Sequence, residues 1–189
     1  MDVRIVHRDA FYIVGFHRTI TLQFHGENHQ IDPLYEKLTE EARAVLLAIN
    51  DQEPKGIVSV SCDFADRTRE GSTLEQWLAV VSGSGEASPF DALAIPSSDW
   101  AVFSVCGRFP DALQEAWAAA YGQWLATSGY ALTGGPEILW NESGDTCGDD
   151  LHSEIWIPVR HLCGLVIVLS YVIVSPKCCR RGTSSHMRP

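Results

Sequence analysis

A carboxylate set among apolar neighbours carries the most chemical content in this sequence. Glu154 precedes Ile155, Trp156 and Ile157 in a run that reads as a β-strand. Residues two apart on a strand share a face, so Glu154 and Trp156 point the same way. Such a pair can hold a lipophilic cation: the charge attracts it, and the ring face adds roughly 0.5–2 kcal/mol. The competing assignment is a solvated Glu on an edge strand. Trp117 and Tyr121 are four apart and share one face of an expected helix. Aromatic stripes usually pack a core, but these two rings carry polar handles and suit a pocket wall. Tyr35 and Leu38, on an earlier helix, are candidates for the opposite wall. Trp77, on a strand of unassigned facing, and Phe103 complete the candidate lining.

Other reactive patterns fail on spacing. His25 and His29 are four apart, but Gly-Glu-Asn between them reads as a loop, whereas a zinc helix needs a regular face and further ligands. Asp145, Cys147, Asp149, Asp150 and His152 form a polar cluster without calcium-loop spacing, so a solvated loop is expected. Cys178 and Cys179 are adjacent and suit oxidation or incidental metal binding more than a built site. There is no G-x-S-x-G, P-loop or dinucleotide fingerprint. No metal or cofactor is expected.

The elements that must position these residues recur in two halves. Residues 3–6 and 11–20 read as strands, the latter rich in β-branched and aromatic types. Asp32 and Pro33 suit the start of a helix with an apolar stripe of Leu34, Leu38, Ala42, Val45 and Ile49. Strands are expected at 56–62 and 74–82, the second by its order in the repeat. A Gly- and Ser-rich linker, 83–90, follows. Then come a strand at 100–106 and a helix opening at Pro110, with Leu113, Trp117, Ala120, Tyr121 and Trp124 on one side. Ser128-Gly129 closes that helix, and strands at 136–141 and 153–159 end the pattern. The fold class expected is α+β: a duplicated strand-helix-strand-strand unit, over about 1–84 and 92–160, making an antiparallel sheet with two helices. A groove between the halves is the natural ligand cleft.

Composition narrows the function classes. Of 189 residues, 46% are hydrophobic and 20% charged, which excludes global disorder. All 24 acidic residues lie within 1–160 against ten Lys and Arg, a net charge of −14. Residues 161–189 carry four basic residues and no acid. The acidic body repels phosphate backbones and attracts cationic small molecules, so direct nucleic-acid binding is not expected. No basic-then-apolar signal opens the chain and no C-x-x-C pair occurs, which points to a cytoplasmic protein with reduced thiols. The apolar run from Leu162 to Val174 is shorter than the ~20 residues of a spanning helix, so a membrane is not expected as a partner. Residues 161–189 read as a C-terminal extension to the domain. The rival assignment is an extra strand or helix packed on the body or on a second subunit.

Several segments together carry a family resemblance. They are Ile95-Pro96 leading into Trp100-Ala101-Val102-Phe103, Ala112 to Trp117, Tyr121-Gly122-Gln123-Trp124-Leu125, Ser128-Gly129-Tyr130, Gly135-Pro136-Glu137 and Glu154 to Val159. Val3 to Val6 and Phe11 to Gly15 are similar to the family's opening strands. In order and spacing these resemble the GyrI-like effector-binding domain, over about residues 1–160. That module senses ligands at the C-terminus of AraC- and MerR-type transcription regulators and also occurs alone. The resemblance implies a buried carboxylate at the Glu154 motif, cationic or aromatic amphipathic ligands, and a DNA-binding regulator protein as a partner. The regulators carry a helix-turn-helix domain before the module, whereas here the matched residues begin at the first position, and 161–189 match nothing in the family. Two alternatives stay open by the same resemblance. One is a hydrolase of reactive small molecules using Glu154 as acid or base. The other is an inhibitory protein-interaction module. Either a monomer or a homodimer fits.

Overall fold

The computed structural model describes residues 2–86, 89–142 and 151–162. Most of the polar cluster at 145–152, and the extension beyond Leu162 with Cys178 and Cys179, therefore lie outside the described residues. Among the described residues, nine strands form one antiparallel sheet: β1 (Asp2–Arg8), β2 (Phe11–Thr21), β3 (Val58–Cys62), β4 (Thr73–Ser82), β5 (Asp91–Ile95), β6 (Ser98–Cys106), β7 (Tyr130–Leu132), β8 (Glu137–Asn141) and β9 (His152–His161). Their order is β1-β6-β9-β8-β3-β4-β2-β5, with β7 continuing the β8 side of β9. The two expected halves meet where β3 pairs with β8. Each half lends its leading strand to the other: β1 pairs with β6, and β5 pairs with β2. The strands β5 and β7 are additions to the sequence expectation. They are short, and each follows a turn signal, the Gly- and Ser-rich 83–90 before β5 and Ser128-Gly129 before β7.

The sheet is buried on both faces. On one, Phe11, Ile13, Val58, Val60, Trp77, Trp100, Val102, Ile138 and Trp156 make a core to which Val6 of β1 and Leu93 of β5 add. Phe11 on β2 and Trp100 on β6 lie five places apart in the strand order, yet their ring centroids are 5.9 Å apart. The sheet therefore curves around this core and needs no helix to cover it. The other face carries the helices. There Phe103, Leu113, Ala116, Ile155 and Ile157 form one cluster, and Val14, Leu46 and Val80 another.

Each expected helix differs from its sequence pattern in one way. The first is two helices, α1 (Asp32–Lys37) and α2 (Glu40–Ile49). Asp32 is the first helical residue rather than the cap, and Ile31 holds the cap position. Thr39 is extended and its hydroxyl accepts from the Ala42 N–H at 3.2 Å, which starts a new helix in a new phase. The expected stripe shifts accordingly: Leu34 and Leu46 are buried, and Val45 is exposed. The second, α3 (Asp111–Ala119), continues through a wide π turn at Ala120–Trp124 into a last turn, Leu125–Thr127. Gly129, at φ 76°, closes it in the left-handed conformation that glycine adopts without strain.

Candidate functional site

α1 and α2 pack over β2 and β4, and α3 packs over β6. The strands β3 and β8 lie between these packings, and their helix-side residues Ser59, Ser61 and Leu139 stay half-buried at the centre of the sheet. They make up the strip of sheet that lies between the two helical layers. Register sets Gln76, Ser61 and Glu137 side by side across β4, β3 and β8. Gln76 is buried and its amide is satisfied by both serines: Ser61 Oγ donates to Oε1, and Nε2 donates to Ser59 Oγ, each at 2.8 Å.

Glu137 is the charged member of this strip, and only 6% of it is exposed. A carboxylate this buried must be compensated, and three side chains do so. Trp117 Nε1 donates to Oε2 at 3.0 Å, and the Tyr121 hydroxyl and Arg67 Nη1 donate to Oε1. Arg67 Nη2 also donates to the carbonyls of Gly134, at 2.8 Å, and Gly135. Its guanidinium lies 4.0 Å from the Phe64 ring centroid. Burial, and then the charge of Glu137, push the Tyr121 phenol well above its ordinary range. Trp117 and Tyr121, four apart, both reach Glu137, while Trp124, at the end of the π turn, meets Phe103 and Tyr130.

The residues expected to form one site are divided by the sheet. Trp117 and Tyr121 stand on the helix face. Glu154 and Trp156 do share a face, as strand periodicity requires, and Trp156 Nε1 donates to Glu154 Oε2 at 3.0 Å. That face is the opposite one, because Ile155 and Ile157 are the β9 residues that meet α3. Glu154 also accepts from Arg4 Nη2 at 2.8 Å and faces an open groove of about 590 Å³ lined by Arg4, Arg8, Trp140 and Trp156. Phe103 is fully buried against Trp124. Trp77 is buried beneath His17, whose ring stacks on it at 4.3 Å. Leu38 packs on the Val14–Leu46–Val80 cluster, and Tyr35 is 57% exposed. The sequence reading passed over Glu137 and Arg67. Glu137 was legible only as part of Gly-Pro-Glu, and Arg67 lies in no motif of the sequence.

Comparison with known proteins gives the class of module to which this fold belongs. The model of the GyrI-like small molecule binding domain matches residues 1–160, and this chain belongs to that family. Among solved structures, SAV2435 bound to tetraphenylphosphonium superposes with a TM-score of 0.67 at 21% identity, covering 86% of this chain and 96% of that one. The EcmrR C-terminal domain gives 0.55 at 15% identity, covering 85% and 98%. An integron cassette protein from the mobile metagenome of Vibrio cholerae gives 0.56 at 15%, covering 84% and 95%. At these identities the likeness is one of fold. Among curated proteins no match is found. No helix among the described residues is long and apolar enough to cross a membrane.

Proposed function

We propose that this domain captures cationic and aromatic amphipathic small molecules in the groove between its helical layers, with Glu137 supplying the charge and Trp117 and Tyr121 the walls. The observation that carries this reading is a nearly buried carboxylate on a central strand held by two amphipathic rings. Binding of tetraphenylphosphonium by the similarly folded SAV2435 supports the ligand class. The role expected of Glu154 passes to Glu137 because Glu137 is the carboxylate that meets the expected aromatic pair. The open groove at Glu154 is the second reading of the ligand's place, favoured by its volume and by Trp156. Hydrolysis through Glu154 ranks lower, since both of its oxygens already accept hydrogen bonds. The setting proposed is the cytoplasm, and the output is a change passed to a DNA-binding regulator protein. The likeness to the EcmrR C-terminal domain and the acidic body support that route over direct DNA contact.

Titration with tetraphenylphosphonium and with neutral triphenylphosphine oxide tests the reading. Removing one charge of a buried pair costs 2–5 kcal/mol, so Glu137→Gln weakens the cation at least about 30-fold. The neutral compound changes by less than about threefold, the range of a lost ordinary hydrogen bond. Equal losses for both compounds refute the charge role, and loss confined to Glu154→Gln moves the ligand to the other groove.

A further inference from the structure

The geometry points to Arg67 as a built-in occupant of the ligand's cation position, which an incoming lipophilic cation must displace. This rests on the Glu137 reading above. Three observations place the guanidinium where such a ligand's charge belongs. It pairs with the buried Glu137 carboxylate, and it lies on an aromatic ring, Phe64, at 4.0 Å. Its further hydrogen bonds go to two loop carbonyls, Gly134 and Gly135, and not to another carboxylate. Charge on one side and a ring face on the other are the two attractions that recognise an organic cation.

Arg67 is also placed to leave. It sits in the connection between β3 and β4, residues 63–72, and not on a strand or helix. The base of that connection is tied by the Ala65 N–H to the Thr73 carbonyl at 2.8 Å, and its tip by Asp66 to the Thr68 N–H at 2.9 Å. Neither tie involves the Arg67 side chain, so the guanidinium can swing out with the loop's own bonds intact. Glu137 then keeps its bonds from Trp117 and Tyr121, which hold the carboxylate in place. Phe64 is uncovered in the same step and becomes a third ring for the ligand. With Arg67 in place the charge of Glu137 is spent, and with Arg67 out the groove is negative. The arginine therefore sets a threshold: only a cation that gains enough apolar contact to outweigh the lost ion pair enters.

The test uses the full chain with Arg67→Gln, which keeps amide donors for the loop carbonyls, and with Arg67→Met. Arg69→Gln, an exposed change on the same loop, is the control. Without the competing charge, tetraphenylphosphonium binds about tenfold or more tightly to both Arg67 variants, while triphenylphosphine oxide shifts by less than about threefold. Adding Glu137→Gln to Arg67→Gln cancels the gain, and Arg69→Gln binds as the unaltered protein does. Cooperative thermal melts establish that each variant is folded, and Arg67→Gln decides the matter if Arg67→Met is not. A folded Arg67→Gln that binds the cation no more tightly than the unaltered protein overturns the inference. If Glu137→Gln still weakens binding in that case, the function stands without it. If the cation binds neither the unaltered protein nor Arg67→Gln, the function and the inference fall together.

Discussion

Three donors converge on Glu137, and each can be removed singly. Trp117→Phe keeps a ring and deletes the indole N–H, so it costs about 1 kcal/mol of stability in a denaturant melt. Tyr121→Phe deletes a hydroxyl whose pKa folding raises. In the unfolded chain that phenol titrates near 10. The stability it contributes is therefore fully present below pH ~10 and is lost as pH rises toward the folded value. Denaturant melts between pH 8 and 11 are expected to fall less steeply with pH in Tyr121→Phe than in the unaltered protein. The thiol of Cys62 is pushed up to about 11, first by burial and then by the charge of Asp63, whereas Cys106 is exposed. Alkylation at pH 8 with mass mapping is expected to modify Cys106 and leave Cys62 free, since the thiolate is the reacting species. The sequence put Trp117 and Tyr121 on one face, and both donate to Glu137, because a spacing of four decides facing within a single helix. It could not choose their carboxylate, because that choice spans two elements.

Within elements, the capping threonine and one strand glycine bear the clearest consequences. Thr39→Ala removes the hydroxyl that starts α2 and is expected to lower stability by about 1 kcal/mol in thermal or denaturant melts. Gly15 lies on β2 against β4, where an added Cβ would stand 2.3 Å from the Leu78 carbonyl oxygen and 2.6 Å from Ala79 Cα, both backbone atoms that cannot rotate away. Gly15→Ala therefore forces two paired strands apart and costs about 2–3 kcal/mol or more, read as a lower melting temperature. The break between α1 and α2 was written in the sequence as Thr39, a strong cap, but the run of apolar residues at helical spacing on either side concealed it. The π turn after α3 left no such mark, since nothing in Ala-Tyr-Gly-Gln-Trp distinguishes one extra residue per turn from a regular helix.

At the scale of the molecule, the sheet pairing of the described residues ends at His161, two residues past the strand end that the sequence suggests, and the Leu162 N–H donates to the Gly129 carbonyl at 2.8 Å. We propose that the domain is complete at that point. Truncation after Leu162 is then expected to leave melting temperature, ligand affinity and elution volume unchanged, while truncation after Arg160 also strips the Tyr130–His161 pairing and lowers the melting temperature. A thermal melt and a sizing run on both truncations check this. A loss of stability or of a dimer on removing 163–189 would instead give those residues a place on the body or on a second subunit.

The sequence by itself determined the elements and their order. Strand alternation, helix spacing and turn residues are local properties, and they placed seven of the nine strands, both helical layers and the doubled pattern. It also determined that Glu154 and Trp156 point the same way, which one strand's period of two settles. Only the tertiary structure decided which face of that strand the helices cover. The sheet is apolar on both sides, with Trp156 and Pro158 on one and Ile155 and Ile157 on the other, so hydrophobic alternation carried no sign of facing. Curvature of the sheet buried the Trp156 side without a helix, α3 took the Ile155 side, and β8, brought beside β3 at the centre of the sheet, delivered Glu137 to Trp117 and Tyr121. Arg67 reaches that carboxylate across 70 residues of chain, a distance over which no local pattern carries information.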